Sequence, residues 1–207
     1  MHTCKYCALV FAALWLAGCG SVRQAPAEIN RSTARGLQKQ RFSEDTSFVY
    51  WLPWRENGKH LVVQGYYSPY SHKTDVALDF KLKTGTTICA ARGGVVYDLF
   101  EDSNVGGAKD EYLDDGNYIM IRHPDGSKGY YWHLKYQGVL VNIGDTVKQG
   151  QPIGLSGNTG YSAFPHLHFE VWGTTATGQY TQLPVRFQTR KGPRYLRPLR
   201  YYTAIHE

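Results

Sequence analysis

The run His166-Leu167-His168-Phe169-Glu170-Val171 alternates polar and apolar residues with a period of two. Successive side chains of a β-strand point to opposite faces, so His166, His168 and Glu170 share one face and Leu167, Phe169 and Val171 the other. A strand that buries its apolar face therefore presents two imidazoles side by side, a ready site for a metal or for metal-assisted catalysis. Upstream, His72 precedes a short loop, after which Val76, Leu78 and Phe80 alternate with Ala77 and Asp79. That pattern sets the Asp79 carboxylate on an open face. A third segment, Tyr130-Tyr131-Trp132-His133-Leu134, places Trp132 and Leu134 on one face and Tyr131 and His133 on the other. Each residue taken singly reads equally well as a solvated strand or loop side chain. Other polar residues lack such a setting. His123 precedes Pro124-Asp125-Gly126 and reads as a turn residue, His60 and His206 have no partner pattern, and Glu170 reads as a solvated sheet carboxylate in preference to a support for a neighbouring ligand. Asn158 and Tyr161 are candidates for contact with a substrate.

These side chains need strands to position them, and strand signals are dense from Thr46 onward. Phe48–Trp54 and Leu61–Tyr67 are rich in β-formers, with Asn57-Gly58 as a turn between them. Val76–Phe80 alternates, and Gly93-Gly94 interrupts the β-rich stretch Thr86–Phe100. Residues 101–116 read as a polar, Gly-rich loop, and its part 103–116 is a candidate for covering the site. Asn117–Arg122 and Gly129–Leu134 read as strands around the turn Pro124-Asp125-Gly126. The 22 glycines and the 14% of aromatic residues agree with an all-β domain. The expected fold is an antiparallel β-sheet, of barrel-sandwich type, with an open groove for the site. The expected organisation is a signal over residues 1–18, a tether over 19–45, a domain over 46–183 and a tail over 184–207 packed on the domain or trailing it. An ordered extension in place of the tether is equally compatible with its composition.

The first residues address the chain. Lys5 precedes an apolar run over 7–17, too short for the roughly 20 residues a bilayer span requires and suited to an export signal. Leu16-Ala17-Gly18-Cys19 resembles the lipobox of bacterial lipoproteins. That resemblance implies cleavage before Cys19, lipidation of its sulfur, and membrane attachment through the N-terminal lipid. Gly20 in place of Asp implies the periplasmic face of the outer membrane in a Gram-negative cell. Cys4 and Cys7 fall in the signal, which leaves Cys89 as a small buried residue and no disulfide framework. The net charge of +6 falls to 22 − 17 = +5 once Lys5 is removed with the signal. No arginine-rich run points to nucleic acid.

Together, the polar residues and the glycine pattern resemble the lysostaphin/LytM-like zinc metallopeptidase family. The resemblance runs from about Tyr66 to Trp172. It is carried by the His72-to-Asp79-Phe80 element, Gly85-Thr86 with Ala90-Ala91 and Gly94-Val95-Val96, Asn117-Tyr118, and Tyr131-Trp132-His133-Leu134. It continues through Gly144-Asp145, Val147, Gly150-Gln151 and Ile153-Gly154, then Ser156-Gly157-Asn158-Thr159-Gly160 and Pro165-His166-Leu167-His168-Phe169-Glu170. It implies that His72, Asp79 and His168 hold one Zn2+ and that His133 and His166 are the catalytic histidines, their division of labour left open. It implies hydrolysis of peptide cross-links of peptidoglycan by zinc-bound water or hydroxide. The compartment points to D-Ala–diaminopimelate bonds and to peptidoglycan peptide stems as the partner; no protein regulator is identifiable. The absence of His-Glu-x-x-His excludes the arrangement with a helical glutamate base. The alternative is a non-catalytic outer-membrane lipoprotein that regulates cell-wall amidases, against which the presence of all five polar residues argues. A biotinyl-type carrier lacks its Met-Lys-Met turn here.

Overall fold

The computed structural model describes residues 29–41 and 48–206. The signal, Cys19 and most of the expected tether lie outside the described residues. Nine strands form one antiparallel sheet: β1 (Lys59–Gln64), β2 (Ala77–Lys81), β3 (Gly94–Phe100), β4 (Tyr118–Arg122), β5 (Lys128–Trp132), β6 (Thr146–Val147), β7 (His166–Thr174), β8 (Tyr180–Gln182) and β9 (Arg200–Thr203). Their order is β6-β3-β4-β5-β7-β2-β1-β9, with β8 beside the C-terminal end of β7. A second sheet joins Thr87–Cys89, Pro152–Ser156 and Leu134–Val139. The all-β antiparallel expectation holds.

Alternation decides which face of the large sheet is buried. Leu78 and Phe80 of β2, Ile119 and Ile121 of β4, and Leu167, Phe169 and Val171 of β7 are all almost fully buried in one core. The residues between them line the opposite, more open face. The turn from β4 to β5 closes on Pro124-Asp125-Gly126. Gly126 supplies the φ of +83° that a side chain would resist, and Asp125 accepts from both the backbone N and the hydroxyl of Ser127.

At both ends the chain packs on the sheet system. Residues 31–38, expected in the tether, form helix α1 (Arg31–Gln38). Asn30 caps it by accepting from the backbone N of Ser32 and Thr33, and Thr33 answers with its own hydroxyl in a capping box. Two apolar residues suffice to dock it, because Ala34 and Leu37 fall three apart on one face and both enter the core. The Tyr67 hydroxyl also donates to the Ile29 carbonyl at 2.6 Å. The tail is likewise part of the sheet system. Arg186–Phe187 pairs in parallel with Val49–Tyr50, and β9 covers the edge of β1. Phe187, Leu196 and Ala204 are buried.

His123 opens the turn, its carbonyl accepting from Gly126 N at 3.0 Å, but its ring does more than a turn requires. It is 3% exposed, donates Nδ1–H to the Gly93 carbonyl at 2.9 Å, and meets the Tyr50 ring edge-on. Burial, with Arg92 nearby, lowers its pKa from 6.5 to about 4. The unfolded imidazole takes up a proton below about 6.5 whereas the folded one stays neutral to about 4, so stability is intact above 6.5 and is lost as pH falls through this window. By urea unfolding, the wild type is expected to lose about 3 kcal/mol more than His123→Gln between pH 7 and pH 4. Equal losses would contradict the assignment. Leu37→Ala is expected to cost about 2–4 kcal/mol by the same measurement, while a cost below about 0.5 kcal/mol would make α1 a passenger.

Candidate active site

The pairing of β7 with β2 sets His168 directly opposite Asp79, and its pairing with β5 sets His168 opposite Trp132. His72 arrives from the loop before β2. The three polar groups converge: His168 Nδ1 lies 3.0 Å from Asp79 Oδ1, His72 Nε2 lies 3.1 Å from the same oxygen, and the two nitrogens are 3.2 Å apart. Asp79 is 1% exposed and His72 is as deeply buried. Among the described residues this is the group whose ligand atoms could surround a metal ion. A tetrahedral zinc ion with bonds of about 2.0–2.1 Å sets its ligand atoms about 3.3–3.4 Å apart, so the triangle matches to within a few tenths of an ångström and leaves one position free. Two imidazoles and one carboxylate are also the donor chemistry zinc takes when one position stays open.

Each member of the triangle is held from behind. Gln64 Nε2 donates to Asp79 Oδ2 at 2.6 Å, which leaves Oδ1 facing the two histidines. The Gly65 carbonyl can only accept, so the contact of 3.3 Å places the His72 proton on Nδ1 and turns the Nε2 lone pair inward. His168 Nε2 faces Glu170 Oε2 at 3.8 Å. Glu170 is itself fixed by Trp172 Nε1 at 3.0 Å and by the Gln182 amide. Glu170 is therefore no solvated carboxylate; it is held with its charge against the outer nitrogen of His168. Burial alone would raise the Asp79 pKa, but the hydrogen bond from His168, with the His72 ring beside it, outweighs it and holds the carboxyl well below its ordinary value. Burial lowers the His168 pKa, yet the hydrogen bond to Asp79 and the negative charge of Glu170 prevail and push it up to about 10. Without metal this pocket thus attracts a proton, the charge a cation would replace.

His133 and His166 stand beside the triangle with ring centroids 4.6 Å apart. His133 Nδ1 donates to the Thr159 carbonyl at 2.8 Å, and His166 Nδ1 to the Phe164 carbonyl at 2.8 Å with the Ser162 hydroxyl at 3.0 Å. Both tautomers therefore present an Nε2 lone pair, and His166 Nε2 lies 3.8 Å from Asp79 Oδ1. Burial, then the neighbouring histidines, lowers the His133 pKa to about 3, and burial lowers that of His166. Both rings are neutral at pH 7.

His133 reaches this place by breaking the alternation expected for its strand. Tyr131 opposes Phe169 across the sheet and is buried, its hydroxyl accepting from Ala91 N at 2.8 Å, so Tyr131 and His133 do not share a face. β5 ends at Trp132, and His133 adopts φ +64°, in the left-handed region. That conformation swings the imidazole out of the core and returns Leu134 to it. The remaining expectations divide. Asn158 Oδ1 accepts from Ser162 at 2.8 Å, so it bears on His166 through that hydroxyl, whereas Tyr161 is exposed on the strand Gly160–Tyr161. Segment 103–116 is fastened to the same loop by Gly160 N to Val105 O at 3.0 Å and Ser162 N to Gly107 O at 3.0 Å. Gln64 and Ser162 escaped the sequence reading, because a lone amide and a lone hydroxyl carry no spacing signal.

The sequence profile described as Peptidase family M23 matches residues 73–183, a span that includes Asp79, His133, His166 and His168 and begins one residue after His72. The chain is 45% identical over 95 residues to an uncharacterized metalloprotease of Buchnera aphidicola, covering 46% of this chain and 22% of that protein. It is 36% identical over 146 residues to lysostaphin of Staphylococcus simulans, covering 67% and 26%, and 41% identical over 93 residues to the peptidoglycan DD-endopeptidase ShyC of Vibrio cholerae, covering 44% and 18%. It thus spans about a quarter or less of each of these three relatives. The solved catalytic domain of lysostaphin superposes with a TM-score of 0.43 at 32% identity, covering 60% of this chain and 84% of that one.

If Glu170 orients His168, Glu170→Gln should weaken zinc affinity roughly tenfold to a hundredfold, read by competition with a chromogenic chelator. Unchanged affinity would leave Glu170 with no part in the site.

Proposed function

The chain belongs to peptidase family M23, and from that premise we propose that it is a zinc-dependent endopeptidase hydrolysing the peptide cross-links of bacterial peptidoglycan. The observation that carries the reading is the triangle of His72 Nε2, Asp79 Oδ1 and His168 Nδ1 beside two neutral imidazoles. Zinc, when bound, supplies a Lewis acid that polarises a carbonyl and makes water acidic enough to react at neutral pH. His72, Asp79 and His168 hold the ion in this reading, and Gln64, the Gly65 carbonyl and Glu170 keep their ligand atoms aimed.

His133 and His166 do the proton work. Each has its Nδ1 proton committed to a backbone carbonyl, so each can accept a second proton only at Nε2, on the side of the scissile amide. One ring takes the proton of the attacking water and returns it to the leaving amine. The other, on taking a proton from solvent at Nε2, donates it to the oxygen on which negative charge develops.

The names of relatives, among them a peptidoglycan DD-endopeptidase and lysostaphin, support wall peptides as the substrate class. Within that class we assign the D-Ala–diaminopimelate bond, on the compartment implied by the lipobox-like Leu16-Ala17-Gly18-Cys19. Attachment through Cys19 at the periplasmic face of the outer membrane would keep the site near the wall. The complete set of donors favours an enzyme over a non-catalytic amidase regulator.

Zinc content by plasma mass spectrometry and muropeptide products by chromatography test this together. His133→Ala and His166→Ala are expected to retain one zinc per chain and to lose cleavage by roughly 10²–10⁴-fold, whereas His168→Ala loses both. Zinc-loaded wild type that leaves every cross-linked muropeptide intact would overturn the reading, and the masses of the products name the bond.

A further inference from the structure

The open face of the large sheet continues well beyond the metal triangle. Strand register arranges its side chains in rows. His168, Trp132, Tyr118 and Phe100 form the first row, and Glu170, Tyr130, Met120 and Asp98 the second. Trp172, Lys128 and Arg122 form the third. Arg122 and Lys128 are thus two cations directly opposite one another on neighbouring antiparallel strands, a pairing that repels. Both lean over the same ring, with Lys128 Nζ 4.4 Å and Arg122 Cζ 5.9 Å from the centre of Tyr97. None of the ion pairs among the described residues includes either of them.

The acids of the adjacent row are engaged elsewhere. Asp98 accepts from the Tyr118 hydroxyl at 3.1 Å, and Glu170 accepts from Trp172 and Gln182. Trp172, opposite Lys128, is stacked on Tyr180 at 5.8 Å, which gives the cations a firm aromatic flank. An unneutralised cation pair, held in place by π faces on the same surface as the metal triangle, is suited to an anion carried by the substrate. Four residues along β7 and two strands across set it about 17 Å from His168, the length of about five extended peptide residues.

We propose that Arg122 and Lys128 form a carboxylate-binding subsite that holds an acidic group of the peptide stem remote from the scissile bond. The proposal rests on the wall-peptide reading of the site. Arg122 provides paired N–H donors to the carboxylate and Lys128 a point charge, while Tyr97 keeps both in reach. The subsite selects stems with a free carboxylate over stems in which that group is amidated.

The test compares cross-linked muropeptides with free and with amidated stem carboxylates. Binding is read by calorimetry on protein stripped of metal by a chelator, so that no turnover intervenes, and cleavage is read on the zinc-loaded protein. The free form is expected to bind about tenfold more tightly, with kcat alike for the two and the difference confined to KM. The double variant R122Q/K128Q is expected to lose that preference while keeping its thermal midpoint and its kcat. Equal affinity for the two forms, a preference that survives in the double variant, or binding of neither form overturns the subsite. So does a salt-sensitive affinity for anionic phospholipid vesicles that falls in the double variant while the muropeptides show no preference. A charge preference without cleavage by the zinc-loaded protein leaves the subsite standing and overturns the endopeptidase reading.

Discussion

A carboxylate almost without exposure, set against two imidazoles, is the constraint on which this fold turns. Removing the Asp79 charge from water costs several kcal/mol unless hydrogen bonds or a cation compensate. Two side chains supply that compensation, Gln64 on one oxygen and His168 on the other, where the His72 lone pair also points. They can do so only while β1, β2 and β7 keep their registers. A slip of one residue between β2 and β7 would send Asp79 toward the apolar core and bring Leu78 or Phe80 to the surface. The apolar alternation that buries Leu167, Phe169 and Val171 therefore also guards the chemistry, since the same register serves both faces.

Around this centre, positioning passes outward through a second set of groups. His72 depends on the Gly65 carbonyl, and the neighbouring Tyr67 is tied to Ile29 at the start of α1. His168 depends on Glu170, which depends on Trp172 and on Gln182 from β8. His166 depends on Ser162, and Ser162 on Asn158. His133 carries its own cost, a left-handed backbone in a residue with a Cβ, of the order of 1–3 kcal/mol. The Nδ1 bond to Thr159 and the return of Leu134 to the core offset it. The strain places a fourth imidazole where regular pleating would have buried it.

The legible parts of this arrangement were those with a period. The strand from His166 and the strand through Asp79 declare their faces in alternation, and the histidines and the aspartate announce themselves by type. The turn at Pro124-Asp125-Gly126 was equally plain. Features without a period were hidden. The φ of His133 is a single-residue event inside an apparently regular strand, so alternation alone sets its ring on the face of Tyr131. Helix α1 docks through two apolar residues, too few to stand out from a polar linker. β9 is four residues long in a stretch broken by prolines, and it becomes a strand because β1 offers it an open edge. His123 does open its turn, but the burial of its ring comes from distant residues, Gly93 and Tyr50, that no local pattern reveals.

X-ray absorption at the zinc edge tests the central claim most directly, because it counts the imidazoles bound to the ion. The geometry predicts two imidazole nitrogens and one carboxylate oxygen from the protein at about 2.0–2.2 Å, with a non-imidazole oxygen completing a four-coordinate shell. A shell with three or more imidazoles would mean that His133 or His166 binds the metal, and the division between holding the ion and moving protons would be wrong.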